Sequence, residues 1–198
     1  MTETWNDRNM QLRLRPQGAA FIKRRKIMVQ KGMEKALNDQ INAELYSAYL
    51  YLSMAAYLES RNLKGFANWM RVQVMEEQAH AKKFYDFLTA RNGRVILSEI
   101  KAPPTGWESP LAAFEQVLEH EQLVTGRIND LVNLSVELGD HATNSFLKWF
   151  VDEQVEEEAT ADGIIQSLKL NENNPGGLFL IDKDLAQRTF VPPPGVML

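Results

Sequence analysis

The residues able to do chemistry in this chain are acids that fall where a helical pattern calls for apolar side chains. Glu44 lies three residues after Ile41 and four before Ala48, inside a stripe of period three and four. Glu77 is seven after Met70, His80 is four before Phe84, and Glu121 sits four after Val117 and three before Val124. Glu153, Gln154 and Glu157 occupy the stretch between Phe150 and Ala161. One inward glutamate in a long helix commonly snorkels to water, and a lone inward histidine is more often a hydrogen-bonded core residue than a ligand. Four acids on four helical stretches are different, because burying an unpaired carboxylate costs several kcal/mol or forces its protonation. These windows offer no inward-facing Lys or Arg as partners, which leaves metal cations.

The ligand types narrow the metal. A glutamate-dominated set with an imidazole and no thiolate suits iron or manganese, is poor for structural zinc and carries too much nitrogen for a dedicated calcium cage. Glu44, Glu77, Glu121 and Glu157 balance the four positive charges of two divalent ions, so a dinuclear iron site is the charge-neutral solution. The spacing Glu77-Gln-Ala-His80 places two ligands about one turn apart, letting Glu77 bridge two metals while His80 binds one.

Such a site needs four long helices, and the sequence predicts them. A first stretch, striped by Leu37, Ile41, Ala48, Tyr51 and Ala55, runs from about Met33 to Ser60 and breaks at Arg61-Asn-Leu-Lys-Gly65. A second carries Phe66, Met70, Phe84 and Phe87 and stops at Asn92-Gly93. The segment from Gly93 to Ser109 contains Pro103-Pro104 and Gly106, is long for a turn, and reads as a crossover. Ser109-Pro110 supplies an N-cap and first-turn proline for a third helix ending near Gly139, and a fourth runs from His141 through Leu168. Connections in the order short, long, short predict an all-α four-helix bundle with one crossover between its second and third helices. Asn173 to Gly177 reads as a hinge, Leu178–Arg188 as a short fifth helix, and Pro192-Pro193-Pro194 as a frayed end. The tryptophans Trp69, Trp107 and Trp149 and the phenylalanines read as packing groups, and Met54, Met70 and Met75 as gap fillers.

Composition sets the surroundings. With 198 residues and no cysteine, the chain suits one domain, residues 33–171, with a leader at 1–32 and a tail at 172–198. Disulfides, iron–sulfur clusters and thiol catalysis are excluded, and the cytoplasm is the expected compartment. No apolar run reaches membrane-spanning or signal-peptide length. Residues 1–28 hold seven basic and two acidic side chains, a net of +5, which leaves −9 on the remainder. An acidic body argues against non-specific nucleic-acid binding and favours cations.

At this point a resemblance becomes specific. Over roughly residues 33–188 the chain resembles the bacterial and archaeal non-haem ferritins, through Leu37-Asn-Asp-Gln-Ile-Asn-Ala-Glu44-Leu-Tyr-Ser, Glu76-Glu77-Gln-Ala-His80-Ala, His120-Glu121 and Trp149-Phe-Val-Asp-Glu153-Gln154-Val-Glu156-Glu157-Glu158. The resemblance implies a ferroxidase centre with Glu44, Glu77 and His80 on one iron and Glu77, Glu121 and Glu157 on the other, with Gln154 nearby. It further implies Tyr51 beside the centre, an additional iron site of Glu76, Glu153 and Glu156 with Glu157 shared, Fe(II) with O2 or H2O2 as substrates, and a homo-oligomeric cage, usually of 24 subunits, that stores ferric mineral. Bacterioferritins repeat E-x-x-H on the fourth helix and carry a haem-ligating Met on the second; here Gln154-Val-Glu-Glu157 and Gln78 stand in those places, so haem is not implied. Rubrerythrins add a Cys-rich module that this chain lacks, and the mini-ferritins space their ligands otherwise.

The leader is read as having no specific role, since Met28 and Met33 each precede the family-like region. Its alternative is a basic arm that touches DNA. A transit peptide is disfavoured by the absence of serine. Two rival readings stand beside storage: a di-iron or di-manganese oxidase or peroxidase that stores nothing, and a DNA-associating scaffold.

Overall fold

The computed structural model describes residues 28–172 and 174–195. Five helices and no strand are found among them: α1 (Lys31–Ser60), α2 (Lys64–Ala90), α3 (Pro110–Glu137), α4 (His141–Leu170) and α5 (Pro175–Leu185). The expected all-α bundle with its crossover and short fifth helix is present. Most of the leader, residues 1–27, lies outside the described residues, as do Asn173 and residues 196–198. The boundary expected at Met33 falls inside α1, and Val29 is already buried, its N–H donating to the Arg91 carbonyl at 3.2 Å.

Local chemistry explains the ends. The Ser109 hydroxyl accepts from the Ala112 N–H at 3.0 Å and Pro110 takes the first turn of α3, as the sequence predicts. Asn92 rather than Gly93 adopts the left-handed conformation after α2, with φ of 56°. Gly93 serves close packing instead, because a Cβ there would lie 2.3 Å from Leu88 Cδ1. The fifth helix differs from expectation: it begins at Pro175 and ends at Leu185. Proline suits the first turn because its missing N–H would be unpaired there anyway. The two glycines of the expected hinge therefore lie inside the helix, and Gly177 sits so close to Asn171 that a Cβ would fall 2.0 Å from its Oδ1.

Helices α1 and α2 form one antiparallel hairpin and α3 and α4 the other. The crossover, residues 91–109, is strapped along α1: Glu34 and Asn38 accept the N–H groups of Arg94 and Ile96 at 2.7 Å each, and the Ser53 hydroxyl donates to the Pro104 carbonyl at 2.6 Å. Arg91, at the end of α2, grips Asp140, the N-cap of α4, with two bonds of 3.1 and 3.2 Å. Burial opposes ionisation of Asp140, but these bonds and those from Thr143 hold its carboxyl below the usual range.

The apolar core is in two parts. One cluster gathers Leu50, Tyr51, Met54, Phe66, Trp69, Phe114 and Ile165, packed by α5 from outside. The other gathers Leu37, Ile41, Phe84, Val124, Leu147 and Phe150 towards the opposite end of the bundle. Between them lies a layer of buried polar side chains, and every helix of the bundle supplies at least one of its acids.

Helix α5 docks through one carboxylate. Asp182 Oδ1 accepts the N–H groups of Gly65 at 2.8 Å and Phe66 at 3.1 Å, capping an α2 that lacks an N-cap side chain of its own. The approach requires glycine: a Cβ on Gly65 would lie 1.5 Å from the Asp182 carbonyl oxygen. Gly65→Ala is therefore expected to displace α5 and cost about 1–3 kcal/mol, and Asp182→Ala about 1 kcal/mol. Thermal unfolding monitored by circular dichroism checks both; an unchanged midpoint in Gly65→Ala would contradict the packing described.

Candidate metal centre

Four helices deliver their acids to one level because each acid keeps the register of its apolar stripe. Glu44 is 1% exposed, Glu77 and Glu121 2% and Glu157 6%, and His80 is buried with them. Ligand atoms of Glu44, Glu77 and His80 all lie within 4.8 Å of one another, a spacing that one cation can span. His80 Nδ1 stands 3.6 Å from Glu77 Oε2, and its ring is held edge-on by Trp149 and Phe150, at centroid distances of 5.4 and 5.9 Å.

Each carboxylate at the rim of the layer is held by neutral donors. Gln40 Nε2 donates to Glu44 Oε1 at 2.8 Å, while Glu44 Oε2 is buried with no hydrogen-bond partner. Gln73 Nε2 donates to Glu157 Oε2 at 2.7 Å. The Tyr51 hydroxyl donates to Glu121 Oε1, and Gln154 Nε2 to Glu121 Oε2 at 3.1 Å. The orphaned Glu44 oxygen is what a metal ligand looks like with its lone pairs unspent, since buried polar atoms otherwise find partners.

Electrostatics point the same way. Burial, followed by repulsion from Glu121, Glu44 and Glu157, raises the Glu77 carboxyl well above its usual range. Glu77 thus feels all three of the other acids. Burial also raises Glu121, against the lowering effect of its bonds from Tyr51 and Gln154. Glu157 is pushed up to about 8, by burial first and then by Glu121 and Glu76. Tyr51, fully buried, is raised well above its usual value by burial and by Glu121, so it stays a neutral O–H donor. Next to the layer, burial and then Arg127 lower His120 to about 4; its neutral ring meets the Ser47 hydroxyl at 2.8 Å.

The remaining acids behave differently. Glu76 is partly buried, Glu153 half-buried and Glu156 exposed, and among the described residues they form no three-ligand group of the same tightness. Glu121 and Glu157 share the polar layer but, as their side chains lie, do not join such a group either. Glu76 has a cationic partner that lies outside the four helical windows: Arg188, beyond α5, donates to its Oε2 at 2.6 Å. Two members of the layer were missed by sequence reasoning, Gln40 and Gln73, at 1% and 0% exposure. Their signal was present, since each lies four residues before a buried glutamate, on the same stripe.

Residues 34–171 match the ferritin-like domain family. The chain belongs to the ferritin family. Among its relatives are bacterial non-heme ferritins of Bacteroides fragilis, 44% identical over 161 residues and covering 81% of this chain and all of that one, and of Staphylococcus saprophyticus, 42% identical over 163 residues, 82% of this chain and 98% of that. The open pore ferritin of the hyperthermophilic archaeon Archaeoglobus fulgidus superposes with a TM-score of 0.81 at 53% identity, over 81% of this chain and 98% of that one. No strand is found among the described residues, and no described helix is long and apolar enough to cross a membrane.

The electrostatics of this ferritin set the sign of its pH response. A carboxyl raised in the folded state keeps a proton that the unfolded chain has already released, which stabilises the fold at low pH. For Glu157 that contribution is complete below the ordinary carboxylate range and is lost as pH rises through about 8. The metal-free protein should therefore lose thermal stability between about pH 5 and pH 9. Added divalent ions should restore it, and calorimetry in buffers of different ionisation enthalpy should show proton release on binding at pH 6.5 that shrinks towards pH 9. Binding without proton release at pH 6.5 would contradict the assignment.

Proposed function

We propose that this iron-storage ferritin oxidises Fe(II) at a dinuclear centre inside each subunit, with Glu44, Glu77 and His80 holding one iron and Glu77, Glu121 and Glu157 the other. The observation that carries the reading is the convergence of four buried carboxylates from four helices, among them Glu77, which the other three repel, with one Glu44 oxygen left unpartnered. Iron is the substrate here. Anionic oxygen ligands favour Fe(III) over Fe(II), and the central place of Glu77 suits it to bridge two ions, so that two electrons leave together. The balance is two Fe(II) giving two electrons to O2, which takes two protons to become H2O2, or to H2O2, which takes two protons to become two waters. Gln154 orients Glu121 from one side and the Tyr51 hydroxyl from the other, and Tyr51 lies close enough to supply or buffer an electron.

The aliphatic and aromatic walls above and below the layer exclude water from the reacting ions. Beside the centre, Glu76, Glu153 and Glu156, with Glu157 shared, are the residues that would form an additional iron site, Glu76 being paired with Arg188 and repelled by Glu153. Haem has no part in this reading. Storage is assigned to a homo-oligomeric cage of 24 subunits in the cytoplasm. Exposed apolar residues on the outer faces, Tyr49 and Leu52 on α1 and Phe179 and Leu180 on α5, support association with further copies.

Aerobic addition of excess Fe(II) tests the proposal. Ferric absorbance should appear at least ten-fold faster with the wild type than with His80→Ala or Glu77→Ala, a loss in the range seen when metal-site residues are removed. The iron should then sediment with a large protein shell. Equal rates in all three proteins would discard the catalytic assignment, while fast oxidation with iron left unsedimented would favour an oxidase that stores nothing.

A further inference from the structure

The two glutamines that hold Glu44 and Glu157 are themselves held, each by an arginine. Arg127, on α3, donates from Nε to Gln40 Oε1 at 3.1 Å and from Nη2 to the Asp39 carbonyl at 2.8 Å. Arg188, beyond α5, donates from Nη1 to Gln73 Oε1 at 2.6 Å and from Nη2 to Glu76 Oε2 at 2.6 Å. Its guanidinium lies over the Trp69 ring, 4.4 Å from the centroid, and its backbone carbonyl accepts from Asn68 Nδ2 at 3.0 Å. Arg127 and Arg188 approach from different elements, and each meets the carbonyl end of a buried amide whose amino end faces a carboxylate of the centre.

That arrangement has a chemical consequence. An amide side chain can point either way, but guanidinium only donates, so an arginine at one end fixes the carbonyl there and turns the N–H towards the glutamate. The chain of bonds also polarises the amide, strengthening its N–H as a donor to an anionic oxygen. Each glutamate then has one oxygen tied by the amide and the other left for metal, as the unpartnered Glu44 Oε2 shows. Glu77, the central acid, has no such tether from an amide among the described residues.

We propose that Arg127 and Arg188 are positioning residues for opposite halves of the centre, Arg127 acting through Gln40 on Glu44 and Arg188 acting through Gln73 on Glu157. The inference rests on the dinuclear reading above and adds that the two metal affinities are set separately, one from the crossover side of α3 and one from the segment that follows α5. Arg188 also makes the docking of α5 part of the centre, since the same segment that α5 brings to α2 carries the arginine.

The test is anaerobic calorimetry of the assembled, full-length protein with Zn2+, which cannot be oxidised. Wild type should bind two ions per chain in the layer. Arg127→Gln and Gln40→Leu should each weaken one binding step by about 10–100-fold and leave the other within about two-fold. Arg188→Gln and Gln73→Leu should weaken the other step alone. Because each arginine acts through its glutamine, adding Arg188→Gln to Gln73→Leu should change that step by no more than about two-fold. Circular dichroism confirms folding, and the Gln40→Leu and Gln73→Leu arms leave both arginine anchors to the backbone and to Glu76 in place. Arginine variants that melt earlier yet bind both ions as wild type does would overturn the proposal, leaving arginines that only fasten the chain. Additive losses in the double variant would overturn it too. Wild type that binds fewer than two ions would sink the dinuclear reading itself, a result distinct from either.

Discussion

A layer of carboxylates crosses the middle of the bundle where hydrocarbon would pack best, and the rest of the structure is arranged around making that layer tolerable. Four acids share one apolar interior that lacks water, and burial with mutual repulsion drives Glu77, Glu121 and Glu157 towards their protonated forms. Neutral donors, Gln40, Gln73, Tyr51 and Gln154, offset the penalty without cancelling it, and among the described residues no lysine or arginine is hydrogen-bonded to the four central acids. On the proposed reading cations complete the balance, and the layer is a receptor for metal and a poor structural element without it.

The length of the helices follows from the same constraint. A polar layer can sit inside a bundle only if apolar clusters above and below fix the four helices, and here the clusters around Met54 and Phe66 and around Phe84 and Phe150 do so. The ends are then pinned by polar contacts that leave the core alone: Arg91 on Asp140 at one, Asp182 on the first turn of α2 at the other. The proposed oxidation of Fe(II) would use the rigidity that results, because ligands that cannot relax keep an oxygen-rich, anionic environment suited to the higher charge of Fe(III).

Much of this was legible in the residues. Helix lengths, the crossover and the Ser109-Pro110 start of α3 follow from local rules, and the acids of the layer are visible because stripe and charge conflict at Glu44, Glu77, Glu121 and Glu157. The start of α5 was misread because Gly176-Gly177 looks like a hinge, whereas close contact with Asn171 demands glycine inside the helix. Gln40 and Gln73 were passed over because uncharged polar residues conflict less loudly with an apolar stripe. Arg188 could not be found locally at all: it lies 112 residues from Glu76 and reaches it only because α5 folds back on α2.

The central claim is that buried negative charge at one level of the bundle exists to hold two metal ions. Crystals soaked anaerobically in Fe(II), with diffraction recorded on both sides of the iron absorption edge, test it most directly. Two anomalous peaks astride Glu77, with Glu44 and His80 on one and Glu121 and Glu157 on the other, are the predicted result. Peaks confined to surface acids, with the inner carboxyls hydrogen-bonded to one another, would contradict it.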